Sequence, residues 1–197
     1  MLAETGCKVK LMGIVKDSYE LFFTTLQEAV ASCQLVVISG GSSVGARDFT
    51  VRAIEAMGTP GVLIHGIAVK PGKPTIFGMS DSGVPIFGLP GHPTAAMIVC
   101  EQLVKLAVRK LLGQKQVLAE HKTQAYLNRN VASVPGRDDF INVRLSKQEG
   151  RNIATPLLGK SGLISLMAQA DGIIHIPAGK SGVYDGDLIE VAPVNGG

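Results

Sequence analysis

The sequence predicts an α/β fold: a three-layer αβα domain with a mostly parallel sheet, followed by a small all-β, barrel-like domain. Short apolar runs alternate with helical patterns over residues 1–115, as expected when strands are buried between helices. Over residues 116–197 the pattern changes to short alternating strands between Gly- and Pro-rich turns. Hydrophobic residues make up 46% of the 197 and charged residues 18%, which is enough to form buried cores.

The first residues are expected to lie in an incomplete first domain. Residues 1–5 resemble the end of a helix closed by Gly6, and residues 8–15 are predicted to form a strand. Because an α/β domain rarely begins inside a helix, we expect a strand and most of that helix upstream.

Strands and helices then alternate along the rest of the first domain. Asp17 and Glu20 form a capping-box pattern that starts a helix. The predicted elements are, in order, that helix to about residue 32, a strand at 35–39, a helix at 48–57, a strand at 62–69, a hairpin joining 75–79 to 84–88, and an apolar helix at 94–112 closed by Gly113.

In the second domain, residues 140–145 are predicted to be a strand that leads into a turn at 148–152. Further strands are expected at 173–176 and 188–191, with one short helix near 163–170.

Composition excludes several classes of function. The formal net charge is only +3, and no cluster of basic residues interleaved with aromatics indicates a nucleic-acid surface. No apolar run approaches the roughly 20 residues that a membrane helix needs. The three cysteines are scattered among apolar neighbours without metal-ligand spacing, which predicts free thiols in a reducing compartment. We therefore expect a cytoplasmic protein.

Three Gly- and Pro-rich loops, at residues 39–45, 70–74 and 88–93, each follow a predicted strand of the first domain. In doubly wound sheets, ligands bind beyond the carboxyl ends of the strands. The chemistry is therefore expected to converge at these loops.

The first loop is suited to an anion. Its glycines let backbone N–H groups approach a phosphate, and its hydroxyls add donors at a helix N-terminus. The alternative is an ordinary Gly-rich strand-to-helix turn. The residues concerned are Ser39, Gly40, Gly41, Ser42 and Ser43.

The second loop carries two lysines, Lys70 and Lys73, on a turn stiffened by proline. Fixed cations of this kind suit phosphate, molybdate or sulfate, although a solvated basic turn has the same composition. Asp17 and Asp48 stand at strand-to-helix junctions. Each could cap its helix, or the two could hold Mg²⁺ beside a phosphate loop.

Taken together, the loops resemble one family in order and spacing. Residues 39–45 with Asp48, then 70–74, then 88–93 are similar to the molybdopterin molybdenumtransferases, the family of the bacterial MoeA proteins and of the C-terminal part of gephyrin. Residues 135–137 and 159–162 look like motifs of that family's last domain. The resemblance covers essentially the whole chain.

The resemblance implies a molybdopterin-binding α/β domain and an enzyme that inserts molybdate into adenylylated molybdopterin with Mg²⁺-dependent release of AMP. Asp17 and Asp48 match the family's aspartates near the metal, and with Lys70 they are the expected catalytic residues. The expected substrate-binding residues are Ser39, Gly40, Gly41, Ser42, Ser43, Lys73, Pro90, Gly91, His92, Arg137 and Ser161.

The sequence departs from the family pattern in three ways. Gly66 stands where some members carry another lysine, and His92 where many carry asparagine. The family also has two N-terminal domains that contribute cleft residues, usually from the partner subunit of a homodimer. We therefore expect this chain by itself to be catalytically incomplete.

Two other functions remain open from the sequence. One is the related molybdopterin adenylyltransferase, against which the C-terminal β domain argues. The other is a non-catalytic module that binds molybdopterin or docks a partner. Substitution of Asp48 separates an enzyme from a docking module, because an enzyme should lose turnover whereas a docking module should keep its partner.

Overall fold

The structure is a computed structural model that describes residues 1–16, 18–40, 44–114, 122–159 and 169–194, and only the backbone of residues 44–48. The chain divides into two units, one of Met1–Ile67 with Gly72–Val117 and one of Ala68–Pro71 with Leu118–Gly197. The second unit therefore includes a short stretch from the middle of the chain.

In the described part of the first unit, four strands form a mixed sheet in the order β1-β5-β4-β2. β1 and β5 run parallel, whereas β4 is antiparallel to both β5 and β2. A three-layer domain with a mostly parallel sheet is thus not confirmed. β4 and β5 are joined by a tight turn and no described helix separates β2 from β4, so neighbouring strands reverse direction. The strands are β1 Val36–Ser39, β2 Gly61–His65, β4 Ile76–Met79 and β5 Pro85–Leu89.

The predicted hairpin between β4 and β5 is confirmed. The Ser80 amide donates to the carbonyl of Val84 at 3.0 Å, and Gly83 adopts a φ of +79° that favours glycine. The turn therefore fixes the register in which Met79 opposes Pro85.

The first helix, α1 (Tyr19–Ser32), begins slightly later than the capping pattern predicted. Ser18 is its N-cap, and the Ser18 hydroxyl accepts from the Leu21 amide at 3.5 Å. Asp17 lies outside the described residues. The second helix, α2 (Val44–Glu55), starts four residues before Asp48, where the sequence placed its beginning.

The predicted long apolar helix is confirmed, with a local irregularity. It consists of α3 (Pro93–Val99), a π-helical turn (Cys100–Val104) and α4 (Lys105–Leu111), and Gly113 ends it with a φ of +74°. Two apolar clusters form the core of this unit, one with α1 and α2 and one with the α3–α4 helix. Ile86 and Phe87, successive residues of β5, belong to different clusters because strand side chains alternate between faces.

At the start of the chain, Ala3–Thr5 forms one 3₁₀ turn that ends at Gly6 with a φ of +87°, as the glycine predicted. The expected strand at residues 8–15 is wrong. No strand of the described chain pairs with this segment, and Leu11 and Ile14 point into solvent instead of packing against a sheet.

The second unit contains the predicted small barrel. Five strands close it in the order β8-β10-β12-β6-β9 and back to β8, and β3 (Val69–Lys70) adds to β8. A two-residue turn joins β8 to β9, and its residues Glu149 and Gly150 both have positive φ. The predicted helix at 163–170 lies mostly outside the described residues. The strands are β6 Thr123–Leu127, β7 Val131–Ala132, β8 Asp138–Gln148, β9 Arg151–Pro156, β10 Gly172–Ile176, β11 Gly182–Val183 and β12 Leu188–Pro193.

Apolar side chains from β6, β8, β9, β10 and β12 fill the barrel. Val143 and Ile176 are fully buried there, as alternate residues of strands that enclose a core should be. The same alternation applies along β8, so Asp139, Ile141 and Val143 share one face.

Candidate functional site

The first and third sequence loops leave the sheet side by side. Ser39 ends β1 and Leu89 ends β5, and these two residues are partners in the parallel register. Both loops therefore begin at the carboxyl edge of a parallel strand pair, the position at which α/β sheets bind ligands.

A cavity of about 370 Å³ lies beside the end of β1. Ser39 and Gly40 line it, and both are exposed to solvent. Lys16, Ser18 and Thr50 add polar groups, while side chains of α1 and β1 supply apolar walls. Gly40 has a φ of +126°, a backbone conformation that favours glycine.

Several predicted site residues fall where the structure gives no side-chain description. Asp17 and Ser161 lie outside the described residues, as do residues 41–43 of the phosphate-type loop, Gly41, Ser42 and Ser43. The backbone of Asp48 is part of α2, but its side chain belongs to the undescribed group 44–48. The roles of these residues remain predictions.

The third loop combines one buried and two exposed positions. Pro90 is buried, whereas Gly91 and His92 are exposed. His92 is the N-cap of α3 but makes no capping bond with its side chain, and Pro93 occupies the first helical turn. The imidazole of His92 is therefore not engaged in closing the helix.

The two lysines of the second loop belong to different units. Lys73 lies in the first, in a turn where the Thr75 amide and hydroxyl both donate to the carbonyl of Gly72 at 3.2 and 2.7 Å. Lys73 is exposed, and its carbonyl accepts from the Ile67 amide at 3.0 Å. Lys70 lies in β3 of the second unit, opposite Asp139 of β8.

Asp139 brings Lys70 and Arg137 together. Arg137 donates from Nε to Oδ1 of Asp139 at 3.1 Å, and Nζ of Lys70 lies 3.7 Å from Oδ2. The Ser133 hydroxyl donates to the same Oδ2 at 3.0 Å. The Asp139 side chain is 0% exposed, whereas those of Lys70 and Arg137 are 53% and 37% exposed. A buried carboxylate thus anchors two cations that reach solvent.

Sequence reasoning selected Lys70 and Arg137 but missed Asp139 and Ser133. A usable signal was present: two adjacent carboxylates, Asp138 and Asp139, open a strand, so one of them must face the barrel interior. A buried carboxylate requires cationic or hydrogen-bonding partners, and the nearby arginine supplies one.

No group of three or more His, Cys, Asp or Glu side chains that could hold a metal occurs among the described residues. The side chains of Asp17 and Asp48, the two aspartates expected to bind Mg²⁺, are not described by the structure. Likewise, no helix in the described ranges is long and apolar enough to cross a membrane.

Comparison with known families assigns a domain type to each part of the chain. Residues 1–110 match a family described as "Probable molybdopterin binding domain". Residues 124–194 match the MoeA C-terminal region, domain IV of those proteins. The chain thus belongs to the class of proteins that join a molybdopterin-binding domain to a small β domain.

Similar proteins narrow this class. The molybdopterin molybdenumtransferase of Haemophilus influenzae is 32% identical over 197 residues, covering 99% of this chain and 48% of that protein. That of Bacillus subtilis is 28% identical, covering 95% and 43%. A solved MoeA protein from Pyrococcus horikoshii superposes with a TM-score of 0.76 at 35% identity, covering 94% and 43%.

The chain belongs to the MoeA family of molybdopterin molybdenumtransferases, as the resemblance in the sequence indicated. It spans about half the length of the relatives it matches.

Proposed function

We propose that the protein acts in molybdenum cofactor biosynthesis, inserting molybdate into adenylylated molybdopterin with Mg²⁺-dependent release of AMP. The observation that carries this proposal is the pairing of Ser39 with Leu89. The strand ends from which the Gly/Ser-rich loop and the Pro90–Gly91–His92 loop begin therefore lie at one edge of the sheet, and Ser39 and Gly40 line a cavity there.

Cleavage of a phosphoanhydride requires mainly positioning and charge neutralisation. Ser39 and Gly40, with Gly41, Ser42 and Ser43, offer hydroxyl and backbone donors for the phosphates. Lys70, Lys73 and Arg137 supply fixed positive charge for molybdate, which is a dianion. Ser161 is proposed to contact the substrate.

Magnesium, when bound, would neutralise charge on the phosphate oxygens, and Asp17 and Asp48 are the carboxylates proposed to hold it. We further propose that the protein works in the cytoplasm and as a homodimer, without nucleic-acid or membrane partners. In this proposal the residues of the chain itself bind the substrate anions, orient them and neutralise their charge.

Because the chain by itself is expected to be catalytically incomplete, the test supplies it with the family's two N-terminal domains, adds adenylylated molybdopterin, molybdate and Mg²⁺, and measures AMP by chromatography. AMP release should require both the metal and molybdate. The Asp48→Asn variant should be slower by roughly tenfold or more, because a metal ligand is lost. Asp81→Asn, an exposed aspartate in the β4–β5 turn, is the matched control and should keep the native rate.

Two outcomes would contradict the proposal. AMP release that continues unchanged in Asp48→Asn would show that Asp48 has no catalytic part. Substrate binding without any release would favour the alternative of a molybdopterin-binding module.

A further inference from the structure

The carboxylate of Asp139 differs from that of an ordinary surface ion pair because it is buried and its strand is held on both sides. Its strand, β8, is paired on both sides at this residue, with Lys70 of β3 on one side and Ile176 of β10 on the other. The backbone of Asp139 is therefore held by two ladders. Its side chain is 0% exposed.

The two charged partners of Asp139, Lys70 and Arg137, both reach solvent. The bond from Arg137 uses Nε, so the terminal nitrogens of the guanidinium are not needed for it. Lys70 approaches at 3.7 Å, beyond ideal hydrogen-bond length, and is about half exposed. The two cations are thus oriented by the carboxylate while their outer donors remain accessible.

The local charge also favours an anion. One carboxylate against one ammonium and one guanidinium leaves a net charge of +1 on this cluster of Lys70, Asp139 and Arg137. The Ser133 hydroxyl donates to Oδ2 and so uses part of the carboxylate's remaining capacity to accept hydrogen bonds. An oxyanion with several acceptor oxygens could receive bonds from both cations at once.

We propose that Asp139 is a positioning residue that holds Lys70 and Arg137 in place to bind an oxyanion, with Ser133 fixing the carboxylate. The identity of the anion as molybdate rests on the proposed function. Asp139 does not touch the anion; it restricts the conformations of two flexible cationic side chains and so lowers the entropy cost of binding.

Positioning and simple charge predict opposite results when the carboxylate is neutralised. Asp139→Asn raises the net charge of the cluster from +1 to +2. If charge alone governs binding, this variant should bind a dianion more tightly, most clearly at low ionic strength. If positioning governs binding, the variant should bind more weakly despite its greater positive charge.

The test is calorimetric titration of the whole chain with sodium molybdate at low and high ionic strength, alongside thermal unfolding of each variant. We expect Asp139→Asn to bind roughly tenfold more weakly, the change expected for one charge-assisted hydrogen bond. Asp138→Asn is the matched control: it removes the same charge from the neighbouring residue, which pairs with His175 at 2.6 Å. This control should bind molybdate at least as tightly as the native chain.

Two further variants and one control keep the test decisive if Asp139→Asn does not fold. Ser133→Ala removes one donor to the carboxylate and should weaken binding by about threefold. Arg137→Lys keeps the charge but loses the Nε donor, and should weaken binding as well. Ile176→Val, which lowers stability beside Asp139 without touching a charge, should not alter affinity.

The outcomes separate the two proposals. If Asp139→Asn binds molybdate as tightly as the native chain or more tightly, the positioning role is overturned. The same follows if Ser133→Ala and Arg137→Lys leave the affinity unchanged. Neither result contradicts the proposed function. No molybdate binding by the native chain overturns the molybdate site of the proposed function, and the role of Asp139 with it.

Discussion

The buried ammonium of Lys105 offers a quantitative test of how the first unit is held together. Its Nζ lies 2.7 Å from Oε2 of Glu101 and 3.2 Å from Oε2 of Glu4. The Lys105 side chain is 6% exposed and that of Glu101 12%, so their pairing is nearly buried, whereas Glu4 is 55% exposed. The contact joins the α3–α4 helix to the first turn of the chain.

Replacing Lys105 with methionine keeps most of the apolar stem but leaves the Glu101 carboxylate without its cation. Breaking a buried ion pair costs about 3–5 kcal/mol, and the partial exposure of Glu101 argues for the lower end, about 3 kcal/mol. The contact with exposed Glu4 adds little, about 0–1 kcal/mol, because solvent screens it. Lys105→Met should therefore lower the free energy of unfolding by about 3 kcal/mol.

A second substitution shows whether the loss comes from an orphaned charge. In the double variant Lys105→Met with Glu101→Leu, both buried charges are replaced by apolar groups, and stability should return to within about 1 kcal/mol of native. Glu4→Gln is the control and should cost less than about 1 kcal/mol. Urea unfolding measures all four proteins. A cost below about 1 kcal/mol for Lys105→Met, or a double variant no more stable than the single, would refute the reasoning.

Three further predictions concern stability. Burial alone lowers the pKa of Lys105, but hydrogen bonds with Glu101 and Glu4 outweigh burial and raise that pKa above its usual 10.5. The stability that this pairing contributes is therefore present below pH 10.5 and is lost as the pH rises through the raised pKa. Urea unfolding across that pH range should detect the loss, and the decline in stability should be smaller in Lys105→Met. Gly78→Ala should cost about 1–3 kcal/mol in the same assay, because the new methyl would meet the Gly61 carbonyl at 2.6 Å; native-like stability would show that the backbone yields. In the barrel, Ile174→Ala should cost about 2–5 kcal/mol, whereas exposed Leu188→Ala should change stability by no more than about 0.5; equal costs would contradict the assigned core.

Local chemistry made several elements predictable. The hairpin between β4 and β5 follows from a Gly83 turn between two apolar runs, and Gly113 marks the end of a long helix. The turn at Glu149–Gly150 and the alternating residues of β8 indicated a small β barrel. In each case the signal lies within a few residues of the feature it predicts.

Features that depend on distant partners could not be predicted in this way. The antiparallel pairing of β4 with β2 follows from which strands become neighbours, and alternation of strands with helices is equally compatible with a parallel sheet. Residues 8–15 have the composition of a strand, yet no described strand pairs with them. A strand requires a partner, which a segment's own sequence does not specify.

The candidate site was predictable in part for the same reason. Glycine, serine and lysine in the loops indicate an anion-binding site from the local sequence, and Ser39 and Lys70 are predicted site residues on that basis. Asp139 contacts Lys70 only because β3 joins β8, a pairing between residues far apart in the chain. Its contact with Lys70 therefore depends on tertiary structure, which the sequence pattern around Asp139 does not reveal.

Calorimetric titration with adenylylated molybdopterin, with and without Mg²⁺, tests most directly whether this chain forms a site for that compound. We expect saturable binding that Mg²⁺ tightens and that AMP alone does not reproduce. No detectable binding, or equal affinity for AMP alone, would contradict it.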